Sequence, residues 1–444
     1  MSGLSKDSMS AGQDLLDFIN ASPTAYHAVI ETRKRLKDSG YTELHEHDEW
    51  QLEAGGKYYT TRSDTALIAW HMGTQPAWET GIRLISAHSD SPGFRIKPNG
   101  AYTQAGYLQF GIEVYGGPLI ASWTDRDLSI AGRVLVTNDG LIQAQPVWVR
   151  RPILRIAQLA IHLNRKVNEE GLVLNQQQHI PPIVALTDTG ETIDSQSVID
   201  NILSEELQVE PDRIVSWELE LIDTQPGQVG GLNNEFIFSG RIDNLAMCHA
   251  QLTALQQIDK RPVATSMMVM FDNEEVGSNT AAGGASPFIR HVFQRVLESG
   301  QSPSHAFQRG LARSFCISAD GAHAVHPNYV DYHDKQHRVQ MNGGPVIKHS
   351  ARERYATDGD STAIFKTLCK DVSVPVQHYI HRTDLPCGST IGPITATNLG
   401  IPVVDVGTAM LSMHSVRETC GTADSAMMIK VLQRFFEKET LWQV

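Results

Sequence analysis

Four groups of acidic and histidine side chains each come directly after, or a few residues past, a short apolar run. His88 and Asp90 follow Ile82 to Ala87, Asp272 to Glu275 follow Val263 to Phe271, Asp320 follows Phe315 to Ser318, and His414 lies a few residues past Ile401 to Val406. Asp243 adds a carboxylate at the start of a helical stretch after Gly240-Arg-Ile, where helix geometry favours an acid. Two histidines with several carboxylates and no cysteine make a nitrogen and oxygen donor set suited to Zn²⁺, with Mn²⁺ and Co²⁺ as alternatives. One ion would not need so many donors. A carboxylate shared between two ions roughly 3.5–4 Å apart is a standard arrangement for metal-assisted hydrolysis, and Asp243 could be that bridge. In the adjacent pair Glu274-Glu275, one carboxylate can bind metal while its neighbour serves as general base.

Taken singly, these features have plainer readings. His88 and Asp90 alone would be a loop histidine beside a turn aspartate, and a Glu-Glu pair alone is usually a solvated face. What favours convergence is that both follow apolar strands, are set off by Gly93 and Gly277, and are joined by two further strand ends. In an open α/β sheet, ligands gather outside the carboxyl ends of the strands, so residues distant in sequence meet there.

The elements that must position these residues can be read from periodicity. Residues 12 to 40 are predicted helical with a break at Ser22-Pro23, and Asp243 to Ile258 is a further helix. Between about Arg95 and Glu235 the texture changes to alternating stretches such as Tyr107 to Tyr115 and Leu128 to Val136, which predict antiparallel strands interrupted by an apolar helix near Ile153 to Val167. After Asn234 strand and helix alternate again. The fold class expected is α/β, a catalytic domain of residues 1–95 and 236–444 with a central mixed sheet flanked by helices, and a β-rich insert at 96–235.

The chain of 444 residues is 41% apolar and 20% charged, as in folded domains. A net charge of -13 leaves no basic stripe for phosphates, which argues against nucleic acid and acidic membrane surfaces as partners. The stretch Met1 to Asp7 lacks the pattern of an export signal, and no apolar run is long enough to span a bilayer. Five cysteines without C-x-x-C spacing suggest neither a disulfide framework nor a thiolate site, so a reducing compartment, the cytoplasm, is expected.

With these residues in hand, the chain resembles the aspartyl aminopeptidase family of dinuclear zinc exopeptidases over almost its whole length. The likeness rests on Ser86-Ala-His88-Ser-Asp90-Ser-Pro-Gly93, Arg241-Ile-Asp243-Asn-Leu, Phe271-Asp-Asn-Glu274-Glu275-Val-Gly-Ser278, Asp320-Gly-Ala-His323-Ala-Val-His326 and Met413-His414-Ser-Val-Arg-Glu418, in the family's order. Gly344 to Lys348, Arg354-Tyr355-Ala and Pro386 to Pro393 add further blocks. The resemblance implies two Zn²⁺ per subunit, one completed by His88 and Asp320, the other by Glu275 and His414. Asp243 would bridge them, Glu274 would act as base, and Asp90 would orient His88. It also implies peptide substrates held by His323, Lys348, Tyr355 and the His414 side of the centre, with Lys348 as partner of an acidic side chain. The family builds dimers through its insert and closes them into a dodecamer.

His162 has three readings. On the apolar stretch Leu154 to Leu163 it would ordinarily be a core histidine, whereas the resemblance associates it with a neighbouring subunit's active site or, alternatively, with zinc. His326, His333 and His337 are taken as structural. Gln158, Thr383 and the pair His349-Ser350 depart from the family's pattern without touching the metal set. Competing functions are a neutral aminopeptidase or an acyl-amino-acid deacylase on the same metal centre, or a metal-bound assembly scaffold. The blocks around Lys348 and Tyr355 speak against a deacylase, and Glu274 speaks against a scaffold, which has no use for a base.

Overall fold

The apolar runs that precede the acidic and histidine clusters become neighbouring strands. In the computed structural model, which describes residues 4–188 and 194–441, Thr265–Phe271, Ile82–His88, Phe315–Ala319 and Val403–Gly407 lie side by side in that order and pair in parallel. The first three residues of the segment inspected for an export signal lie outside the described residues. Every residue of these four strands is buried, which is why they read as mainly apolar runs without a solvent-facing alternation. Ala66–His71, Lys57–Arg62 and Thr42–Glu43 extend one side, and Val346–His349 and Gln377–Ile380 the other, giving a nine-stranded mixed sheet.

Helices cover both faces of this sheet because side chains alternate across it. Ile85, Ala87, Met268, Met270, Ile317, Val404 and Val406 point to one face, under Lys6–Ala21, Ala25–Asp38, Ile242–Gln256, Gly359–Asp371 and Thr422–Glu437. Ile82, Leu84, Met267, Val269, Cys316 and Val403 point to the other, under Phe288–Leu297 and Ile391–Leu399. The predicted break at Ser22-Pro23 separates the first two helices, and the Ser5 hydroxyl caps the first by accepting from Ser8 N–H at 3.1 Å.

A six-stranded antiparallel sheet forms wholly from residues 93–223, in the order Leu141–Trp148, Leu128–Asn138, Ile214–Asp223, Gly93–Gln104, Tyr107–Tyr115, Ile183–Leu186. Ile199 and Leu203 of helix Ser195–Leu207 are buried in its core. The helix expected near Ile153 to Val167 is not formed. Leu154 bridges Leu128, and Arg155 exchanges both backbone hydrogen bonds with Ile183, at 3.0 and 2.8 Å. Leu154 and Ile156 are buried with Arg155 exposed between them, a period of two in an extended chain, and strand pairing outweighs helical propensity. Only a turn near Ala160 to Leu163 and a helical turn at Val167–Glu170 follow.

A third, five-stranded sheet joins Gln228–Gly230, Phe236–Ser239, Glu418–Gly421, Ala409–Leu411 and Ala322–His323. Ala409–Leu411 and Glu418–Gly421 pair antiparallel, so the loop between them folds back and carries His414 over the sheet end. Among the described residues, no helix is long and apolar enough to cross a membrane.

Candidate metal centre

The carboxyl ends of three of the parallel strands bring His88, Glu275 and Asp320 to Asp243 and His414, which are carried by the five-stranded sheet, with Glu274 beside them. His88 is the last residue of its strand, Asp320 follows Ala319, and Glu275 sits in a single helical turn after Phe271. That turn is entered through Asn273 in the left-handed region at φ 59, which swings the chain sharply off the strand. His414 also has positive φ, 69. Asp243 is not in regular helix: at φ -78 and ψ 108 it is extended, and it feeds the helix through Asn244, whose side-chain amide donates to Ala319 O at 2.9 Å.

The donor atoms fall into two sets that share Asp243. His88 Nε2 is 3.5 Å from Asp243 Oδ1 and 3.5 Å from Asp320 Oδ1. His414 Nε2 is 3.4 Å from Asp243 Oδ2 and 3.4 Å from Glu275 Oε1. Zinc–ligand bonds of about 2.0–2.1 Å in a tetrahedron separate neighbouring donors by about 3.3–3.4 Å, close to these spacings. Asp243 Oδ1 and Glu275 Oε1 are buried without a hydrogen-bond partner, a costly state that a cation would relieve. The residues therefore fit a metal pair. A third grouping, His88 with Glu274 and Glu275, is geometrically feasible. It competes for the same nitrogen, because His88 Nδ1 is taken by Asp90 O at 3.0 Å.

Two buried carboxylates hold these ligands from behind. Asp90 accepts the backbone N–H groups of Glu274 at 3.1 Å and Glu275 at 3.2 Å and lies 3.3 Å from His88 Nδ1. Glu418 accepts the N–H of Asp243 at 3.1 Å and of His414 at 2.7 Å. Glu418 closes the stretch Met413-His414-Ser-Val-Arg-Glu418, but nothing in sequence marks a carboxylate that receives backbone donors from two separate segments. Gly117 O, 3.0 Å from His414 Nδ1, was likewise not foreseen.

The other expected site residues are placed as follows. Lys348 is buried at 2% exposure, with its ammonium 3.1 Å from Asp320 Oδ2 and 5.3 Å from the centre of the Tyr355 ring. Tyr355 is buried and contacts Cys387. His323 packs edge-on against Tyr379, and burial, with Lys348 and His381 adding, pushes its pKa down to about 4, so the ring is neutral near pH 7. His162 is exposed rather than a core histidine, and it joins none of the donor groupings among the described residues. His333 Nε2 accepts His326 N–H at 3.1 Å and His337 pairs with Asp334 at 2.7 Å, both away from the donor set.

The charges are tightly interdependent. Burial opposes ionisation of Asp243, but hydrogen bonds and charge from His414 and His88 outweigh it and hold the carboxyl well below the usual range. Burial likewise opposes the His414 cation, yet Asp243 and Glu275 raise its pKa to about 11 in the metal-free protein, and His88 is raised in the same way by Asp243, Asp320 and Asp90. The His414 cation thus stabilises the metal-free fold fully below its unfolded value of about 6.5, a contribution lost as pH rises through about 11. Metal needs neutral imidazole, so Zn²⁺ binding is expected to expel protons and to strengthen as pH rises from 6 to 9. Calorimetric titration in buffers of different ionisation enthalpy checks this. A buffer-independent heat would contradict it.

Helices on both faces of a mixed sheet, with paired nitrogen and oxygen donors gathered above its strand ends, make this an α/β protein with a candidate metal centre. The family described as "Aminopeptidase I zinc metalloprotease (M18)" matches residues 18–436, and the chain belongs to it. It is 46% identical over 429 residues to "Probable M18 family aminopeptidase 2" of Ectopseudomonas mendocina (strain ymp), covering 97% of this chain and 98% of that one. Its fold is similar to a chain of the cryo-EM structure of the Ape4 and Nbr1 complex, with TM-score 0.93, 37% identity, and coverage of 98% and 88%. The S. cerevesiae mApe1 dodecamer is similar at TM-score 0.85 and 28% identity, covering 97% of each chain.

Proposed function

We propose that this chain is an aminopeptidase that removes N-terminal residues, acidic ones by preference, from peptides by means of two Zn²⁺ per subunit, Mn²⁺ or Co²⁺ being compatible with the same donors. The observation that carries the reading is the pair of donor sets at 3.4–3.5 Å spacing that share the two oxygens of Asp243. His88 and Asp320 complete one set and Glu275 and His414 the other, with Asp243 bridging. When bound, the ions supply Lewis-acid polarisation of the scissile carbonyl and acidify the attacking water.

The chain's own groups do the remaining work. Glu274 takes the proton from the attacking water and passes it to the leaving amine. Burial, with the charges of Asp320, Glu275 and Asp243 adding and His88 opposing, raises its pKa to about 8 in the metal-free protein. A carboxyl that titrates near neutrality can both accept and return a proton, which is the task assigned to Glu274. Neutral His323 offers an N–H to the developing oxyanion, and Tyr355 lines the same wall. The free α-amine is recognised at the Glu275 and His414 side, where anionic oxygens gather.

Lys348 is the partner assigned to an acidic substrate side chain. Its contact with Asp320 favours a second reading, a neutral aminopeptidase, because that ammonium is already paired. Hydrolysis of aspartyl-, glutamyl- and leucyl-p-nitroanilide by zinc-loaded protein and by Lys348→Met decides between them. Acidic substrates should be cleaved fastest, and Lys348→Met should abolish that preference. Dominant leucyl turnover, unaffected in its selectivity by Lys348→Met, would transfer the assignment to the neutral enzyme.

Residues 1–95 and 236–444 are proposed as the catalytic domain and 96–235 as an inserted assembly domain in a cytoplasmic protein, dimers of which close into a dodecamer. Support comes from the similar mApe1 dodecamer and from Leu159, Ile161, Leu163 and Val173, apolar side chains exposed on the insert. His162 lies among them and would reach a neighbouring subunit's substrate. All five cysteines are free thiols, as a reducing compartment requires. Analytical ultracentrifugation checks the assembly, and a stable monomer would sink it.

A further inference from the structure

The six-stranded sheet meets the donor set at the end of strand Tyr107–Tyr115 and in the residues that follow it. The Tyr115 hydroxyl donates to Asp90 Oδ2 at 2.7 Å and accepts from Asn273 Nδ2 at 2.9 Å. Both partners matter to the centre: Asp90 receives the N–H groups of Glu274 and Glu275, and Asn273 is the left-handed residue that starts their turn. Gly116, at φ 66, passes so close that an added Cβ would lie 3.0 Å from Glu275 Cβ and 3.4 Å from Pro92 Cβ. Gly117 O accepts a hydrogen bond from His414 Nδ1–H at 3.0 Å, which turns Nε2 toward the donor set, and Leu119 N–H donates to His414 O at 2.9 Å.

The tyrosine ring is itself held by the sheet. The Arg95 guanidinium lies 4.0 Å from the ring centre, and Arg95 pairs with Glu220 of the neighbouring strand at 3.4 Å. Tyr115 is 8% exposed, and burial, with Asp90 and Asp272 adding, keeps its phenol protonated and hence a donor. One strand end of the six-stranded sheet therefore contacts the Glu274–Glu275 turn, the carboxylate behind it, and His414.

We propose that Tyr115 is a positioning residue and that the segment Tyr115–Gly117 makes the six-stranded sheet an outer shell of the metal centre, setting its affinity for Zn²⁺. This rests on the two-metal reading above. Glu275 and His414 receive their orientation from a sheet whose other role is assembly, so rearrangement of that sheet is transmitted to metal binding.

The test is Zn²⁺ titration by calorimetry of wild type, Tyr115→Phe and Gly116→Ala, beside melting of each in chelator. Tyr115→Phe keeps the ring and its stacking and removes only the hydroxyl. Its affinity should fall about 10–100-fold, the usual cost of losing an outer-shell partner, with the metal-free melting temperature unchanged. Gly116→Ala should lose the ion on the Glu275 and His414 side, so that stoichiometry drops from two to one. Wild-type affinity for both ions in Tyr115→Phe would overturn the proposal, as would a fall in affinity matched by a fall in metal-free melting temperature, which marks a folding role. Should Gly116→Ala fail to fold, Tyr115→Phe decides alone. A wild type that does not take up two ions would defeat the two-metal reading instead.

Discussion

Glu274→Gln is expected to lower kcat by about 10²–10⁴-fold, the usual contribution of a positioned general base, while Zn²⁺ stoichiometry stays at two. The side chain is a member of neither of the two donor sets that share Asp243, so its loss leaves their spacings intact. Its backbone N–H is the part that anchors it, to Asp90 Oδ1 at 3.1 Å, and glutamine keeps that bond. KM should change little, since the proton transfer belongs to the transition state and not to substrate binding. Steady-state kinetics together with metal analysis of the same preparation checks both halves. Equal losses of metal and of kcat would make Glu274 a ligand, as the grouping with His88 allows.

Asp243→Ala should remove both ions together, because its two oxygens belong to different sets, Oδ1 facing His88 and Oδ2 facing His414. His88→Ala should instead spare the Glu275 and His414 side. Asp243→Ala is also expected to lower the stability of the metal-free fold. In the metal-free protein Asp243 is a buried carboxylate whose charge is compensated by two histidines, and removing it takes from both buried imidazoles the counter-charge they share. Asp243→Ala is therefore expected to melt lower than wild type even in chelator, and to show no further rise on adding Zn²⁺. A full zinc-induced rise in melting temperature in this variant would show that Asp243 does not bridge.

His88, Glu275 and Asp320 were legible because each lies at or just past the end of a buried parallel strand, and such strands announce themselves as short apolar runs. His88 and Asp320 need only the strand end to be found. His414 was harder, since it sits on a loop between two short strands of another sheet, and its place follows from the motif around it. The outer shell could not be read in this way. Glu418 acts by receiving backbone N–H groups, Gly117 by offering a carbonyl, and Tyr115 through a pairing with a residue 25 positions away. None of these leaves a mark on local pattern.

Ile153 to Val167 was misread for a related reason: a run of apolar residues fits a helix or an extended strand equally well until its partner is known. The partners here are Leu128 and Ile183, each more than 25 positions away. The pairing of Lys348 with Asp320 could not be read either, because its neighbours in sequence say nothing about a carboxylate that reaches it from another strand end.

The most direct test of the central claim is to give the zinc-loaded protein a short aspartyl peptide and the same peptide with its α-amine acetylated, and to follow release of the first residue with and without chelator. A two-metal aminopeptidase should cleave the free peptide, spare the acetylated one, and stop on chelation. Cleavage of the acetylated peptide, or turnover that persists without metal, would contradict it.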